Sequence, residues 1–188
     1  MIPYSIVSVS AGLRRPSTSR KLADRLTEAA AAELTTHGGK VRVRSIELRD
    51  HAHDITDALL TGRATAELAD TVQAVARADA LVAVTPVFTG AYSGLFKSFV
   101  DILDKDSLGG RLVLLGATGG SARHQLALEY SLRPLFTHLR AETVPTAVFA
   151  APEDWEPDGE TRLSERIGHA ARELASHLHS RVGLQHTF

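Results

Sequence analysis

Short apolar runs alternate along this chain with longer stretches of helical spacing. Continuous apolar runs predict strands that are buried on both faces, and the alternating run VRVRSIEL predicts a strand with one exposed face. The five predicted strands are Tyr4–Val9, Val41–Leu48, Ala80–Val84, Arg111–Leu115 and Thr143–Ala150.

Helical patterns separate these strands. Apolar residues recur every four positions from Leu22 to Leu34, and the following Gly38 and Gly39 are typical of a helix end. Pro134 lies inside one long pattern, where it is expected to kink or break the helix. The predicted helices are Thr18–Thr36, Ala64–Ala78, Ser93–Leu103, Ala122–Arg140 and Glu160–Arg181, with residues 49–62 irregular, residues 151–159 a polar turn, and no clear pattern in residues 182–188.

Strands that alternate with helices favour a parallel sheet with helices on both faces, a three-layer α/β sandwich. No internal repeat or linker divides the chain, so we expect a single domain over residues 1–188. Ligands of such sheets lie beyond the carboxyl ends of the strands. Three post-strand loops of unusual composition, residues 10–19, 85–93 and 116–121, are therefore the candidate site.

Composition narrows the possible functions. The chain has 188 residues, of which 44% are hydrophobic, and its net charge of -1 gives no basic field for nucleic acid. The absence of cysteine excludes disulfides, zinc–thiolate sites and thiol catalysis. Neither a signal peptide nor a membrane-spanning run is apparent, so we expect a cytoplasmic protein. His177 and His179 lack acidic partners at ligand spacing, and no metal is assigned.

The first loop, SAGLRRPSTS, combines four hydroxyls with two arginines at the start of a helix. Helix N-termini attract anions through their free N–H groups and the helix dipole. A cap needs only one hydroxyl, so the surplus favours a phosphate site over a simple cap. Gly12 is expected to allow an unusual backbone angle, and either Arg14 or Arg15 to supply charge. The candidate hydroxyl residues are Ser10, Ser17, Thr18 and Ser19.

The second loop begins at Thr85 and Pro86 and carries two aromatics, Phe88 and Tyr92, in a chain with only 5% aromatic residues. Two rings so close together suggest a planar ligand, although either ring alone is more often packed against the core. Gly90 allows a tight turn here. Thr89 or Ser93 is expected to cap the next helix, on which Lys97 and Asp101 are spaced to pair.

The third loop, GATGGS, has three glycines in five residues. Such a loop lets backbone N–H groups approach a ligand closely, although it also resembles an ordinary turn before a helix capped by Ser121. His124 beside it is more often a solvated histidine than a ligand contact. Together the loops suit a flat heterocycle with one phosphate, such as FMN, since the GxGxxG of dinucleotide sites is absent.

These residues resemble the NAD(P)H-dependent FMN reductases of the flavodoxin-like superfamily, most of all the actinobacterial subgroup that supplies reduced flavin to monooxygenases. The family's first loop, G-S-x-R-x-x-S-x-[NST]-x-x-L-A, is matched by Gly12-Leu13-Arg14, Ser17, Ser19 and Leu22-Ala23. Gly12 stands where serine is usual, so the missing hydroxyl is expected from Ser10.

The second loop matches the family's T-P-x-Y/F-x-G-x-x-x-G-x-x-K-x-x-x-D from Thr85 to Asp101. The resemblance implies a flavodoxin-like five-stranded sheet of order 2-1-3-4-5. It also implies that Pro86, Val87, Phe88 and Thr89 lie along the isoalloxazine ring. The glycine turn is then expected on the other side of the ring, through Ala117, Thr118, Gly119, Gly120 and Ser121.

The resemblance implies hydride transfer from NADPH or NADH to flavin N5, with no catalytic side chain because the cofactor carries the chemistry. A flavin-dependent monooxygenase is the implied partner, and a homodimer or homotetramer the implied assembly. A quinone or azo reductase uses similar chemistry and remains an alternative. A flavodoxin-type electron carrier is less favoured because such carriers are strongly acidic, and a binding module alone does not account for three matched loops.

Overall fold

The computed structural model describes residues 2–185 of the chain. Its strands are β1 (Ile2–Ser10), β2 (Gly39–Glu47), β3 (Ala80–Phe88), β4 (Ala91–Tyr92), β5 (Leu112–Thr118), β6 (Glu142–Thr143) and β7 (Val148–Ala150). Its α-helices are α1 (Thr18–Thr36), α2 (Ala52–Thr61), α3 (Ala66–Arg77), α4 (Gly94–Asp101), α5 (Arg133–His138) and α6 (Pro157–Gln185).

The central sheet is parallel in the order β2-β1-β3-β5-β6, and β7 pairs with β5 farther along the same edge. With β6 and β7 taken as two pieces of one strand, this is the predicted order 2-1-3-4-5. The α/β sandwich is therefore confirmed, but the strand count is not, because the described residues form seven strands rather than five.

The predicted fifth strand is divided because Pro145 has no N–H to donate to the ladder. Val144 still donates its N–H to the Val113 carbonyl at 2.9 Å, and pairing with β5 resumes at Val148. The seventh strand is β4, which folds back on the end of β3 as a hairpin.

Two predictions about helices were wrong. Residues 49–62 are not irregular, because a 3-10 turn at Leu48–His51 leads into α2, which ends at Gly62 with φ 70°. Residues 122–140 are not one helix but a 3-10 turn, a π-helical turn at Leu128–Leu132 and α5. The expected disruption near Pro134 is a change of helix type, since the π-helical turn leads directly into α5, which begins one residue before the proline.

The last helix begins earlier and ends later than predicted. The expected polar turn 151–159 contains a 3-10 turn at Pro152–Trp155, and α6 begins at Pro157 instead of Glu160. In the tail that showed no pattern, residues 182–185 belong to α6 and residues 186–188 lie outside the described residues.

Alternate side chains of the strands form two cores, one on each face of the sheet. Val82 and Leu114 face α1 and α6, whereas Leu81 and Val113 face the layer that contains Phe96 of α4. All five are almost fully buried, so the sheet is a rigid base for the loops at its carboxyl edge. No helix within residues 2–185 has both the length and the apolar character to cross a membrane.

Candidate functional site

The three candidate loops leave the sheet side by side. Ser10 at the end of β1 pairs in register with Val84 of β3, and Pro86 of β3 pairs with Thr118 at the end of β5. Because these strands are parallel, their carboxyl ends share one edge of the sheet. The structure thus brings the predicted loops to one edge.

The first loop ends in a capped helix that keeps free N–H groups. Ser17 is extended, and its Oγ accepts a hydrogen bond from the N–H of Arg20 at 3.1 Å. Ser17 also accepts from the N–H of Lys21 through its carbonyl at 3.0 Å. Among the described residues, the N–H groups of Thr18 and Ser19 have no acceptor, as is usual in the first turn of a helix. They are available to an anion.

The arginines of this loop differ in what they contact. Arg15 forms an ion pair with Asp50 at 2.7 Å, whereas Arg14 is exposed and forms no ion pair within residues 2–185. Arg20 binds Asp24 in a bidentate ion pair, and this hydrogen bonding raises the pKa of the Arg20 guanidinium. Of the two arginines considered from the sequence, Arg14 is the one available to a phosphate.

The structure changes the interpretation of Gly12. Its backbone is not left-handed, so the expectation of an unusual angle there was wrong. Space is the constraint instead, since a Cβ at this position would lie 1.9 Å from the Oγ of Ser17. Ser10 is buried, and its hydroxyl is directed to the carbonyl of Ile46 at 3.5 Å, toward β2. That hydrogen bond is long, and it does not join Ser10 to the other hydroxyls of the loop.

A side-chain contact joins the first and third loops. The Oγ of Ser19 lies 2.7 Å from the Oγ1 of Thr118, and both residues are buried. Ala117 and Thr118 are the last two residues of β5 rather than part of the turn. The candidate phosphate end and the candidate glycine wall are therefore in direct contact.

Only one glycine of the third loop has open space around it. A Cβ at Gly119 would lie 2.7 Å from the Phe149 ring. The Gly119 N–H already donates a hydrogen bond to the carbonyl of Ala150 at 3.2 Å. Gly120, by contrast, has no heavy atom within 4 Å of such a Cβ. Ser121 caps a short 3-10 turn instead of the predicted helix, accepting from the N–H of Arg123.

The second loop is a two-residue hairpin between β3 and β4. Thr89 and Gly90 have positive φ values of 50° and 85°, which is the pattern of a type I′ turn. The base of the hairpin is held by Thr85, whose Oγ1 accepts from the N–H of Ser93 and donates to the carbonyl of Pro86, both at 3.0 Å. The hairpin is therefore attached at both ends to the rigid sheet edge.

The two aromatics of this loop have different environments. Phe88 is 47% exposed beside the turn, whereas Tyr92 packs on Phe96 with ring centroids 6.2 Å apart. Of the two candidate capping residues it is Ser93 that caps α4, by accepting from the N–H of Phe96 at 3.2 Å. Of the two aromatics, Phe88 is the more exposed.

Several neighbours of the site were not identified from the sequence. Phe149 supports Gly119, and Asp50 holds Arg15, although each lies far from its partner in the chain. Lys21 places its Nζ 4.4 Å from the centroid of the Trp155 ring, beside the first turn of α1. Such contacts have no local sequence signal, because they depend on the approach of separate strands. His124 is exposed, as expected.

The fold and the site define a flavodoxin-like protein of the mononucleotide-binding kind. The first loop offers donors for one phosphate, with free N–H groups at Thr18 and Ser19 and the charge of Arg14. The exposed Phe88 and the open space at Gly120 lie on the neighbouring loops, where a flat ring requires room. These residues fit FMN.

Comparison with known proteins gives the family. A family model for NADPH-dependent FMN reductases matches residues 4–156, so the chain belongs to this family. An NADH-dependent FMN reductase, SfnE, of Pseudomonas putida is 42% identical over 149 residues, covering 79% of this chain and 77% of SfnE. An FMN reductase (NADPH) of Pseudomonas aeruginosa is 40% identical and covers 82% of this chain and 80% of its own length.

A solved structure agrees with the family assignment. The crystal structure of an oxidoreductase from Corynebacterium diphtheriae superposes with a TM-score of 0.89 at 44% sequence identity. The alignment covers 94% of this chain and 97% of that one. The similarity thus extends over nearly the whole fold.

Proposed function

We propose that the three-loop site of this FMN reductase binds FMN and reduced nicotinamide together. The observation that carries this proposal is the contact between Ser19 and Thr118, which places the anion-accepting start of α1 against the end of β5. When the phosphate is bound at the first loop, the flavin ring attached to it lies over the third loop and the β3–β4 hairpin.

The first loop holds the phosphate in this proposal. The N–H groups of Thr18 and Ser19 and the hydroxyls of Ser17 and Ser19 donate hydrogen bonds, and Arg14 adds a charge-assisted contact. Ser17 caps α1 at the same time, because its Oγ accepts from Arg20 while its own hydrogen remains free.

The hairpin and the glycine turn orient the ring. Val87, Phe88 and Thr89 border one side, and the Gly120 backbone approaches the other, where no side chain intervenes. When bound, FMN supplies the hydride acceptor at N5. Backbone N–H groups of the two loops would stabilise negative charge on the reduced ring, without any side chain acting as an acid or base.

The reaction consumes reduced nicotinamide, FMN and a proton and yields oxidised nicotinamide and FMNH₂. A reduced nicotinamide would need access to one face of the bound ring, so the loops must leave that face open. Either NADPH or NADH serves as donor in this proposal, since the relatives at 40% and 42% identity are named for different nicotinamides.

Two further parts of the proposal concern assembly and delivery. Three apolar side chains near the site are exposed. Phe88 on the hairpin is 47% exposed, Leu126 just before the π-helical turn 57%, and Tyr130 within that turn 79%. These side chains support self-association as a homodimer or homotetramer. Phe96, in the helix that follows the hairpin, is buried and does not belong to this surface. Reduced flavin then passes to a flavin-dependent monooxygenase in the cytoplasm.

Flavin binding and steady-state kinetics test the function. Purified protein is titrated with FMN, and oxidation of NADPH and of NADH is followed with FMN, FAD, riboflavin, a quinone and an azo dye as acceptors. Fastest turnover with FMN is expected. Failure to bind FMN contradicts the proposal, binding without nicotinamide oxidation identifies a carrier, and a preference for the quinone or the dye identifies the alternative reductase.

A further inference from the structure

The Ser19–Thr118 contact connects two residues that were expected at different parts of the flavin, the phosphate and the ring. Ser19 belongs to the phosphate loop, whereas Thr118 was expected in the wall beside the ring. Their hydroxyl oxygens are 2.7 Å apart, and the two residues are only 2% and 4% exposed. Breaking this contact leaves a buried hydroxyl without a partner, which is costly, so the pair holds its geometry.

The direction of this hydrogen bond matters for an anion. Each hydroxyl has one hydrogen, so one residue of the pair donates and the other keeps its hydrogen free. Ser19 lies in the first turn of α1, beside N–H groups that have no acceptor within the described residues. A phosphate there accepts hydrogen bonds and donates none when ionised. It therefore favours the arrangement in which Thr118 donates to Ser19 and Ser19 donates to the phosphate.

We propose that Thr118 is a positioning residue for the FMN phosphate and acts through Ser19. This inference rests on the proposed function, because it takes FMN as the ligand of the first loop. Thr118 fixes the rotamer and the donor direction of Ser19, and the two linked hydrogen bonds strengthen each other. Its side chain thus serves the phosphate, although it stands at the end of β5 beside the glycine turn.

Removal of the Thr118 hydroxyl tests this role. Dissociation constants for FMN and for riboflavin, which lacks the phosphate, are measured by calorimetry on purified apoprotein. Thr118→Val preserves the shape and removes one hydrogen bond, so we expect the FMN constant to rise about 3- to 10-fold while that of riboflavin stays unchanged. Thr118→Ser retains the hydroxyl and is expected to restore FMN affinity.

A double-mutant cycle tests whether Thr118 acts through Ser19. Ser19→Ala alone is expected to weaken FMN at least as much as Thr118→Val does. Because Thr118 has no phosphate donor to position once the Ser19 hydroxyl is removed, Thr118→Val in the Ser19→Ala background should add little further loss. Additive losses would show that Thr118 acts independently and would overturn the proposal.

A matched control separates binding from folding. Thr27 lies farther along α1, is 2% exposed, and donates its hydroxyl to the Ala23 carbonyl at 2.7 Å. Thr27→Val also removes a buried hydroxyl, and it is expected to change thermal stability without changing the ratio of FMN to riboflavin affinity. If Thr118→Val does not fold, Thr118→Ala is measured in its place against the same ratio.

The outcomes separate this inference from the function on which it rests. Wild-type protein that binds neither flavin contradicts the proposed function before any variant is needed. Wild-type binding with equal weakening of FMN and riboflavin by Thr118→Val assigns Thr118 to the ring wall or the fold, and overturns only the positioning role.

Discussion

A Cβ at position 12 would lie 1.9 Å from the Oγ of Ser17, so the hydroxyl that caps α1 fills the space that a side chain at Gly12 would need. The family resemblance has serine both at this position and at position 17. Because Gly12 carries no side chain, the Ser17 hydroxyl occupies the space and accepts a hydrogen bond from the N–H of Arg20. A larger residue at position 12 would therefore collide with the cap of α1.

Gly12→Ala is expected to destabilise the protein. The added Cβ displaces the Ser17 Oγ and with it the cap of α1, at a cost of about 1–3 kcal/mol in the free energy of unfolding. Urea unfolding of the apoprotein measures this change. FMN affinity should fall as well, because the same hydroxyl is a proposed phosphate donor.

The cause can be checked in the Ser17→Ala background. Ser17→Ala alone removes the cap at a cost of about 1 kcal/mol. Gly12→Ala then meets no Oγ, although the Cβ of residue 17 remains 3.0 Å away, so its additional cost should be smaller than in the wild type. Equal costs in the two backgrounds would show that the backbone, not the space, requires glycine.

The glycine turn offers a second matched pair of substitutions. Gly119→Ala places a Cβ 2.7 Å from the Phe149 ring and is expected to lower the free energy of unfolding by about 1–3 kcal/mol. Gly120→Ala meets nothing within 4 Å and should leave stability nearly unchanged. Thermal unfolding of both variants measures the difference. If the turn requires glycine only for its flexibility, the two variants should be destabilised equally, which would contradict a packing constraint at Gly119.

Gly120 also tests the position of the ring. Gly120→Val places a bulky side chain in the open space where the backbone is proposed to approach the flavin. We expect FMN and riboflavin to be weakened equally, since the two ligands share the ring and differ only in the phosphate. A loss confined to FMN would place the glycine turn at the phosphate end instead.

The sequence was sufficient to predict most strands and the three loops at the edge of the sheet. These follow from hydrophobic periodicity and from turn residues close together in the chain, as the correctly predicted span of α1 illustrates. The order of the strands came from the family resemblance, because periodicity does not say which strands are neighbours. The long helix at 122–140 was wrong because its apolar spacing does not distinguish an α-helix from the π-helical turn at Leu128–Leu132. Residues 49–62 were misassigned because α2 is short and begins with polar residues.

The arrangement inside the site was less accessible to sequence. Arg15 is bound by Asp50, whereas Arg14 forms no ion pair within residues 2–185. This difference depends on how the loop lies against the end of β2. Likewise, Ser19 and Thr118 are 99 positions apart, and only the folded sheet brings their hydroxyls together. Residue types predicted the donors, whereas tertiary contacts determine which donors are free.

The β3–β4 turn contains a residue poorly suited to its backbone angle. Thr89 has φ 50°, a left-handed conformation that a β-branched side chain rarely adopts. Thr89→Asn is expected to raise the free energy of unfolding by about 1 kcal/mol, because asparagine tolerates this conformation better. Thr65→Asn is the control, since Thr65 caps α3 at φ -63°, outside the left-handed region, and asparagine is also a favoured cap there. Equal effects of the two changes would contradict strain at Thr89.

The last prediction concerns Arg133, which joins the π-helical turn to the divided fifth strand. Its guanidinium donates to both carboxylate oxygens of Glu129, at 2.6 and 2.8 Å, and to the carbonyls of Val144 and Pro145 at 3.0 and 2.9 Å. The hydrogen bonds from Arg133 lower the pKa of the Glu129 carboxyl below its ordinary value of 4.5. The ionised glutamate thus keeps Arg133 in position over the gap between β6 and β7.

A carboxyl with a lowered pKa stabilises the folded state when it is ionised. Its contribution is present at neutral pH and is lost as the pH falls below 4.5 through the pKa of the folded protein. Glu129→Gln should therefore lower the free energy of unfolding at neutral pH by up to about 1 kcal/mol, since the pair is partly exposed, and the loss should shrink in acid. Glu165→Gln, on the exposed face of α6, is the control and should show neither effect. Urea unfolding across this pH range measures the effect. If the loss of unfolding free energy caused by Glu129→Gln were the same in acid as at neutral pH, the role of the ion pair would be contradicted.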